Sequence, residues 1–208
     1  MKRDIEKISQ FLEKEIVPRY DAFDAGHRRD HVHHVMATSQ QLAQFYPEVD
    51  RAMLLVAAAY HDLGLANGRE RHHIDSAKIL HADQRLRQWF TEQEIDTMAD
   101  AAEDHRASLG HAPRTIYGRI VAESDRQIVP EVVVRRTMQY TRAHMPGLDK
   151  DEEFQRLQEH MHEKYAEGGY LHLWIPESDN ARQLQRLRAI IDRPEQLRAL
   201  FDRLYPEI

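Results

Sequence analysis

The 208-residue chain has no cysteine. Disulfides, thiolate metal sites and a cysteine nucleophile are therefore excluded, and any metal must be held by nitrogen and oxygen. The absence also fits a reducing compartment. Cationic excess is missing too: 29 Lys and Arg stand against 35 Asp and Glu, a net charge of −6, with no long basic block. Bulk nucleic acid is thus not an expected partner, whereas a local basic pocket for a small anion stays compatible with the charge. No apolar stretch is long enough to span a bilayer, and the opening MKRDIEKISQFLEKEIVPRY lacks the apolar centre of a signal peptide. These absences predict a soluble, cytoplasmic protein without a membrane partner. Repeats and low-complexity segments are lacking as well, and nothing in the chain specifies an oligomeric state. What is abundant is histidine, 14 in all, many of them before residue 112.

With 41% hydrophobic residues the chain can bury one substantial core, and a single domain over residues 1–208 is expected. Ile5, Ile8, Leu12 and Ile16 recur at helical spacing until Pro18. Residues 31–45 form a second periodic segment, stopped by Pro47. RAMLLVAAAYHDLG, from Arg51, is apolar on nearly every side, as a central helix surrounded by others would be; Gly64 and Asn67-Gly68 mark its end. Ile74, Ala77 and Leu80 share a face, and Thr91 with Glu94 forms a capping-box pattern opening a helix towards His105. Helices are also predicted from about Ile116 to Asp125, from Pro130 through the β-branched EVVVRRTMQY, over 149–167 up to Gly168-Gly169, and over 177–206 with a break near Pro194. The fold class expected is all-α.

Four polar residues stand out against this background: His31, His61, Asp62 and Asp125. Imidazole nitrogens and carboxylate oxygens suit a divalent transition metal, and a bundle can bring side chains from separate helices onto one ion. Adjacent residues in a regular helix point about 100° apart, so His61 and Asp62 converge more easily where the helix ends, and Gly64 permits such an ending.

DHVHHV at 30–35, HD at 61–62 and AESDR at 122–126 resemble the H…HD…D pattern of the HD-domain superfamily of metal-dependent phosphohydrolases. The resemblance covers about residues 20–130. It implies an HD-domain-like helical bundle, here with additional C-terminal helices over about 131–208, and metal ligands at His31, His61, Asp62 and Asp125. RHHIDSAKIL is similar to the start of the next helix in members that hold two metals, with His72 in register and His73 as the alternative; AAEDHRAS places His105 where such members supply a further imidazole. The metal implied is Mn, Fe, Ni, Co or Zn, at one site, with a second left open. LGLANG lacks the Glu-Asp pair of the alarmone hydrolases, and HRASLGHAPRTIYG lacks the Gly-Tyr-Pro signature of the cyclic-dinucleotide phosphodiesterases.

A metal with an open position activates water and polarises phosphorus, so the implied reaction is hydrolysis of a small phosphorylated metabolite, nucleotide-like in the leading reading. Candidates for binding its negative charge are His27, Arg28, Arg106 and Lys164. Asp62, Glu70 and Asp104 are the candidate catalytic carboxylates. Two other readings accompany this one: an HD-fold di-iron oxygenase, kept open by His72 and His105, and a non-catalytic ligand-sensing module.

Overall fold

The computed structural model describes residues 3–24 and 26–208, and among them are ten α-helices and no strand. The all-α class expected from periodicity is the class observed. The chain divides into two compact units, Met1–Asp125 and Arg126–Ile208.

The first unit is organised around an apolar helix. α1 (Ile5–Phe11) does not stop at Pro18 but changes type, passing through a π-helical turn at Leu12–Ile16 into a 3₁₀ segment at Val17–Ala22. Proline has no N–H and crowds the carbonyl four residues back, so an α-helical register cannot continue through it. At the start of the 3₁₀ segment no donor is required of Pro18. The row Ile8, Leu12, Ile16 and Tyr20 therefore stays fully buried along one side. α2 (Arg29–Leu42) buries Val32, Val35, Met36, Ser39 and Leu42.

α3 (Arg51–Tyr60) is buried at every position from Ala52 to Tyr60 because α1, α2, α4 (His72–Ala82), α5 (Glu92–Glu103) and α6 (Ile116–Ser124) all pack on it. Asp50 caps it, accepting from the Ala52 N–H at 2.8 Å and the Met53 N–H at 3.2 Å. The Arg3 guanidinium pairs with Asp50 and Glu94 and donates to the Trp89 carbonyl at 3.0 Å, joining the starts of α3 and α5. Thr91 and Glu94 form the capping box that the sequence predicts at α5.

The second unit comprises α7 (Pro130–His144), α8 (Lys150–Tyr165), α9 (Asp179–Ile191) and α10 (Pro194–Leu204). The β-branched run is helical here, with Pro130 at its opening turn and Val133, Val134, Met138 and Thr141 buried. Gly168, at φ +81°, turns the chain back on α8: the Tyr170 N–H donates to the Glu163 carbonyl at 3.2 Å and the Leu171 N–H to the Lys164 carbonyl at 3.0 Å. Among the described residues, no helix is long and apolar enough to cross a membrane.

Candidate metal centre

Helix ends of the first unit supply the polar cluster. His61 is the C-cap of α3, and at Asp62 the backbone (φ −111°, ψ 4°) has left the helix. That departure lets two adjacent side chains converge. His31 lies in the first turn of α2, His72 is the first residue of α4, His105 follows the end of α5, and Asp125 is the C-cap of α6.

Two ligand groups result: His31, His61, Asp62 and Asp125, and Asp62, His72 and His105. In the first, His31 Nε2 lies 3.2 Å from His61 Nε2, 3.3 Å from Asp62 Oδ2 and 3.2 Å from Asp125 Oδ1. His61 Nε2 lies 3.2 Å from Asp62 Oδ2 and 3.7 Å from Asp125 Oδ1. In the second, His72 and His105 bring their Nε2 atoms to 3.1 Å from each other and to 3.6 and 3.3 Å from Asp62 Oδ1. Ligand atoms about 2.1 Å from one ion, at tetrahedral or octahedral angles, sit roughly 3.0–3.4 Å apart, so both groups have the spread of a coordination shell. Asp62 turns one oxygen to each.

Backbone carbonyls fix the imidazole tautomers. Nδ1–H of His61 donates to the Ala58 carbonyl at 2.8 Å, that of His72 to the Arg69 carbonyl at 2.7 Å, and that of His105 to the Ala102 carbonyl at 2.6 Å. A carbonyl can only accept, so in each neutral ring Nε2 carries the lone pair and faces the cluster. Converging lone pairs need a cation or a proton between them.

Without an ion, the carboxylates keep that proton on the imidazoles. Burial acts to lower the His61 pKa, but Asp62 and Asp125 outweigh it and push it up to about 10. His31 is raised in the same way, against burial, by Asp125 and Asp62. Both carboxyls are held well below the ordinary range despite burial, Asp62 chiefly by His61 and then by bonds to His105 and His31, Asp125 by bonds to His31 and His61. His72 is shifted the other way, to about 4, by burial and then by His105.

Two contacts hold the turn that carries the HD pair. The buried Tyr20 hydroxyl donates to the Ala59 carbonyl at 2.9 Å and accepts from the Asp62 N–H at 3.3 Å. The Gly64 N–H donates to Ser76 Oγ at 2.9 Å, tying the turn to α4. Tyr20 was not anticipated; its sequence signal is that it continues the four-residue spacing of Ile8, Leu12 and Ile16. Tyr20→Phe leaves a buried carbonyl and N–H short of a partner and is expected to cost about 1–3 kcal/mol, measurable by urea unfolding.

The remaining candidates surround the cluster or lie apart from it. His72, not His73, reaches Asp62; the buried His73 ring has its Nδ1 3.4 Å from Arg106 Nη1. His27 stacks edge-on against His31, ring centres 5.6 Å apart, and bonds Asp24 and Arg69. Arg28 is exposed at the start of α2. Arg106 donates to the Glu70 carbonyl and, at 3.0 Å, to Ser108 Oγ. The Glu70 side chain is exposed and belongs to neither ligand group. Asp104 is engaged elsewhere: its carboxylate accepts from the Arg114 N–H at 2.6 Å and from the Arg114 Nε at 3.0 Å, so it is an anchor for the loop before α6 rather than a free base. Lys164 belongs to the second unit, where its ammonium lies 5.1 Å from the Tyr165 ring centre.

A helical unit whose element ends converge on one shared carboxylate defines a class: an α-domain with side chains able to hold divalent ions. Residues 28–127 match the family model of the HD domain, a span that takes in all six cluster residues. This segment belongs to the HD-domain superfamily, which generally comprises metal-dependent hydrolases and binds divalent metals. No curated protein and no solved structure gives a significant match.

Proposed function

We propose that the protein is a divalent-metal-dependent phosphohydrolase acting on a small phosphorylated metabolite, nucleotide-like in chemistry. The observation that carries this reading is the bridging arrangement of Asp62, with Oδ2 among His31, His61 and Asp125 and Oδ1 against His72 and His105. His31, His61, Asp62 and Asp125 would hold one metal; Asp62, His72 and His105 would hold a second. When bound, a transition metal supplies Lewis acidity toward a phosphoryl oxygen and a nucleophile at neutral pH. The chain supplies the rest. The buried rings of His61 and His105 and the half-buried ring of His72, each locked by a carbonyl, keep the ligand nitrogens aimed without reorganisation. His27, Arg28 and Arg106 offer positive or hydrogen-bonding groups to the substrate's phosphate. Of the two carboxylates named for proton transfer besides Asp62, Glu70 is the one not engaged by a guanidinium. The lack of cysteine supports a cytoplasmic setting.

The test is to load ion-free protein with Mn, Fe, Ni, Co or Zn, count the ions and screen phosphomonoesters and nucleoside phosphates for released phosphate or pyrophosphate. Release that disappears with chelator is the expected result. The second ligand group also fits a two-iron oxidising centre, so two irons with dioxygen consumption and no phosphate release would overturn the hydrolase reading. Metal binding with neither reaction would favour the sensor.

Loading should also be pH-dependent, with a definite sign. His61 keeps its proton up to about pH 10 in the ion-free chain, so a metal ligated by it must displace that proton. Affinity of the first group is therefore expected to rise about tenfold per pH unit for each proton displaced. His72, with its pKa near 4, is already neutral at pH 7 and contributes no such proton. Calorimetric titrations in buffers of different ionisation enthalpy would count the protons for each ion.

A further inference from the structure

Resting on that two-group reading, we infer that Arg69 is a positioning residue for the second metal group, and that its clasp with Asp24 and His27 sets how tightly that group holds its ion. The three histidine rings with fixed tautomers differ in what fixes them. The acceptor for His61, Ala58 O, lies within α3, and the acceptor for His105, Ala102 O, within α5. Both residues sit in the last turn of a regular helix, so the helical backbone conformation itself sets where those carbonyls point. The acceptor for His72 is the carbonyl of Arg69, in the irregular stretch between the 3₁₀ segment Leu63–Asn67 and the start of α4. That stretch opens at Gly68, whose φ of +102° breaks the helical path.

Side-chain contacts replace the missing helix. Arg69 Nη1 donates to Asp24 Oδ2 at 3.3 Å, and Arg69 Nη2 donates to His27 Nε2 at 3.2 Å. His27 Nδ1–H in turn donates to Asp24 Oδ1 at 2.8 Å, and the Gly26 N–H donates to the same oxygen at 2.9 Å. The three side chains form a closed ring. The next carbonyl, Glu70 O, is held separately by Arg106. One residue thus joins the two ligand groups from outside: its side chain holds His27, which packs on His31, and its carbonyl orients His72.

Energetics favour a role in orientation over one in stability. Side chains of Arg69 and Asp24 are 60% and 57% exposed, and ion pairs of that kind contribute little to folding. Groups that orient a metal-ligating imidazole, by contrast, alter metal affinity by about ten- to a hundredfold. The clasp should therefore be nearly silent in unfolding and visible in metal binding.

Ion-free wild-type protein, Arg69→Ala, Asp24→Asn and Arg69→Lys would be titrated with Co²⁺ alone, followed by calorimetry, ion counting and the visible absorption of the metal. Wild type is expected to take two ions. In Arg69→Ala and Asp24→Asn the weaker of the two affinities should fall about ten- to a hundredfold, with the tighter one unchanged. Arg69→Lys, which keeps the cation but not the fork, should lie between. Thermal midpoints of the ion-free variants should match wild type. His72→Ala identifies the second group by losing that ion altogether. Two ions with unchanged affinities in both clasp variants would overturn the inference and leave the proposed function standing. A wild type that takes one ion overturns the inference as well, and one that takes none overturns the metal reading itself. Equal weakening of both ions, or a lowered ion-free midpoint, would show a general structural role and also overturn it.

Discussion

Asp62→Ala is expected to empty both ligand groups at once. Among the described residues no other belongs to both groups, so its loss removes one of four ligands from the first and one of three from the second. Because a ligand rather than a supporting contact is removed, affinity at each group should fall by more than about a hundredfold, and metal-dependent turnover with it. Asp125→Ala is the contrasting variant, since Asp125 belongs to the first group alone and should spare the second ion. The ion-free protein should report the change too. Among the groups that raise His61, Asp62 is the largest, so Asp62→Ala should bring the imidazole down from about 10. Ion counting on both variants, with proton NMR titration of the histidines, checks the prediction. Retention of two ions by Asp62→Ala would rule out the bridging role.

Gly64→Ala should produce the largest loss of stability of any glycine-to-alanine change in the first unit. A Cβ there would lie 2.0 Å from the His72 carbonyl oxygen and 2.6 Å from the Ser76 backbone nitrogen. Both obstacles are backbone, so no rotamer change relieves them. The turn after the HD pair and the first turn of α4 must separate, breaking the Gly64 bond to Ser76 and displacing His72. Overpacking of this severity costs about 3 kcal/mol or more. Urea unfolding of the ion-free chain measures it. A midpoint within error of wild type would show that the two turns are not in the close contact described.

The fold was more legible than the surroundings of the site. α3 announces itself because no face of RAMLLVAAAY is polar, which only a surrounded helix can satisfy. Pro18 was legible as an interruption but not as a change of helix type, since the choice between stopping and rewinding depends on burying Tyr20. Residues of the cluster carry a motif, and helix ends explain how side chains far apart in sequence meet. Their supports carry none. Asp104 sits next to His105 in sequence, yet past the end of α5 neighbouring side chains diverge, and the one that finds Arg114 is decided by a loop with no periodicity. Arg69 is an arginine in a polar loop, indistinguishable in sequence from a solvated one, because its backbone carbonyl is what meets the ligand.

The separation of the ligands along the chain has a kinetic consequence. An ion held by His31 and Asp125 would close a chain loop over most of the first unit, and one shared with His72 and His105 would pin the interior of that loop. Such a tie acts as a reversible cross-link, reducing the entropy the chain can gain on unfolding while the ion stays bound. Global unfolding of the loaded unit must then pass through release of the ion. Its lifetime at high temperature would be governed by how fast the metal leaves, so that residence time of the ion and persistence of the fold become one quantity.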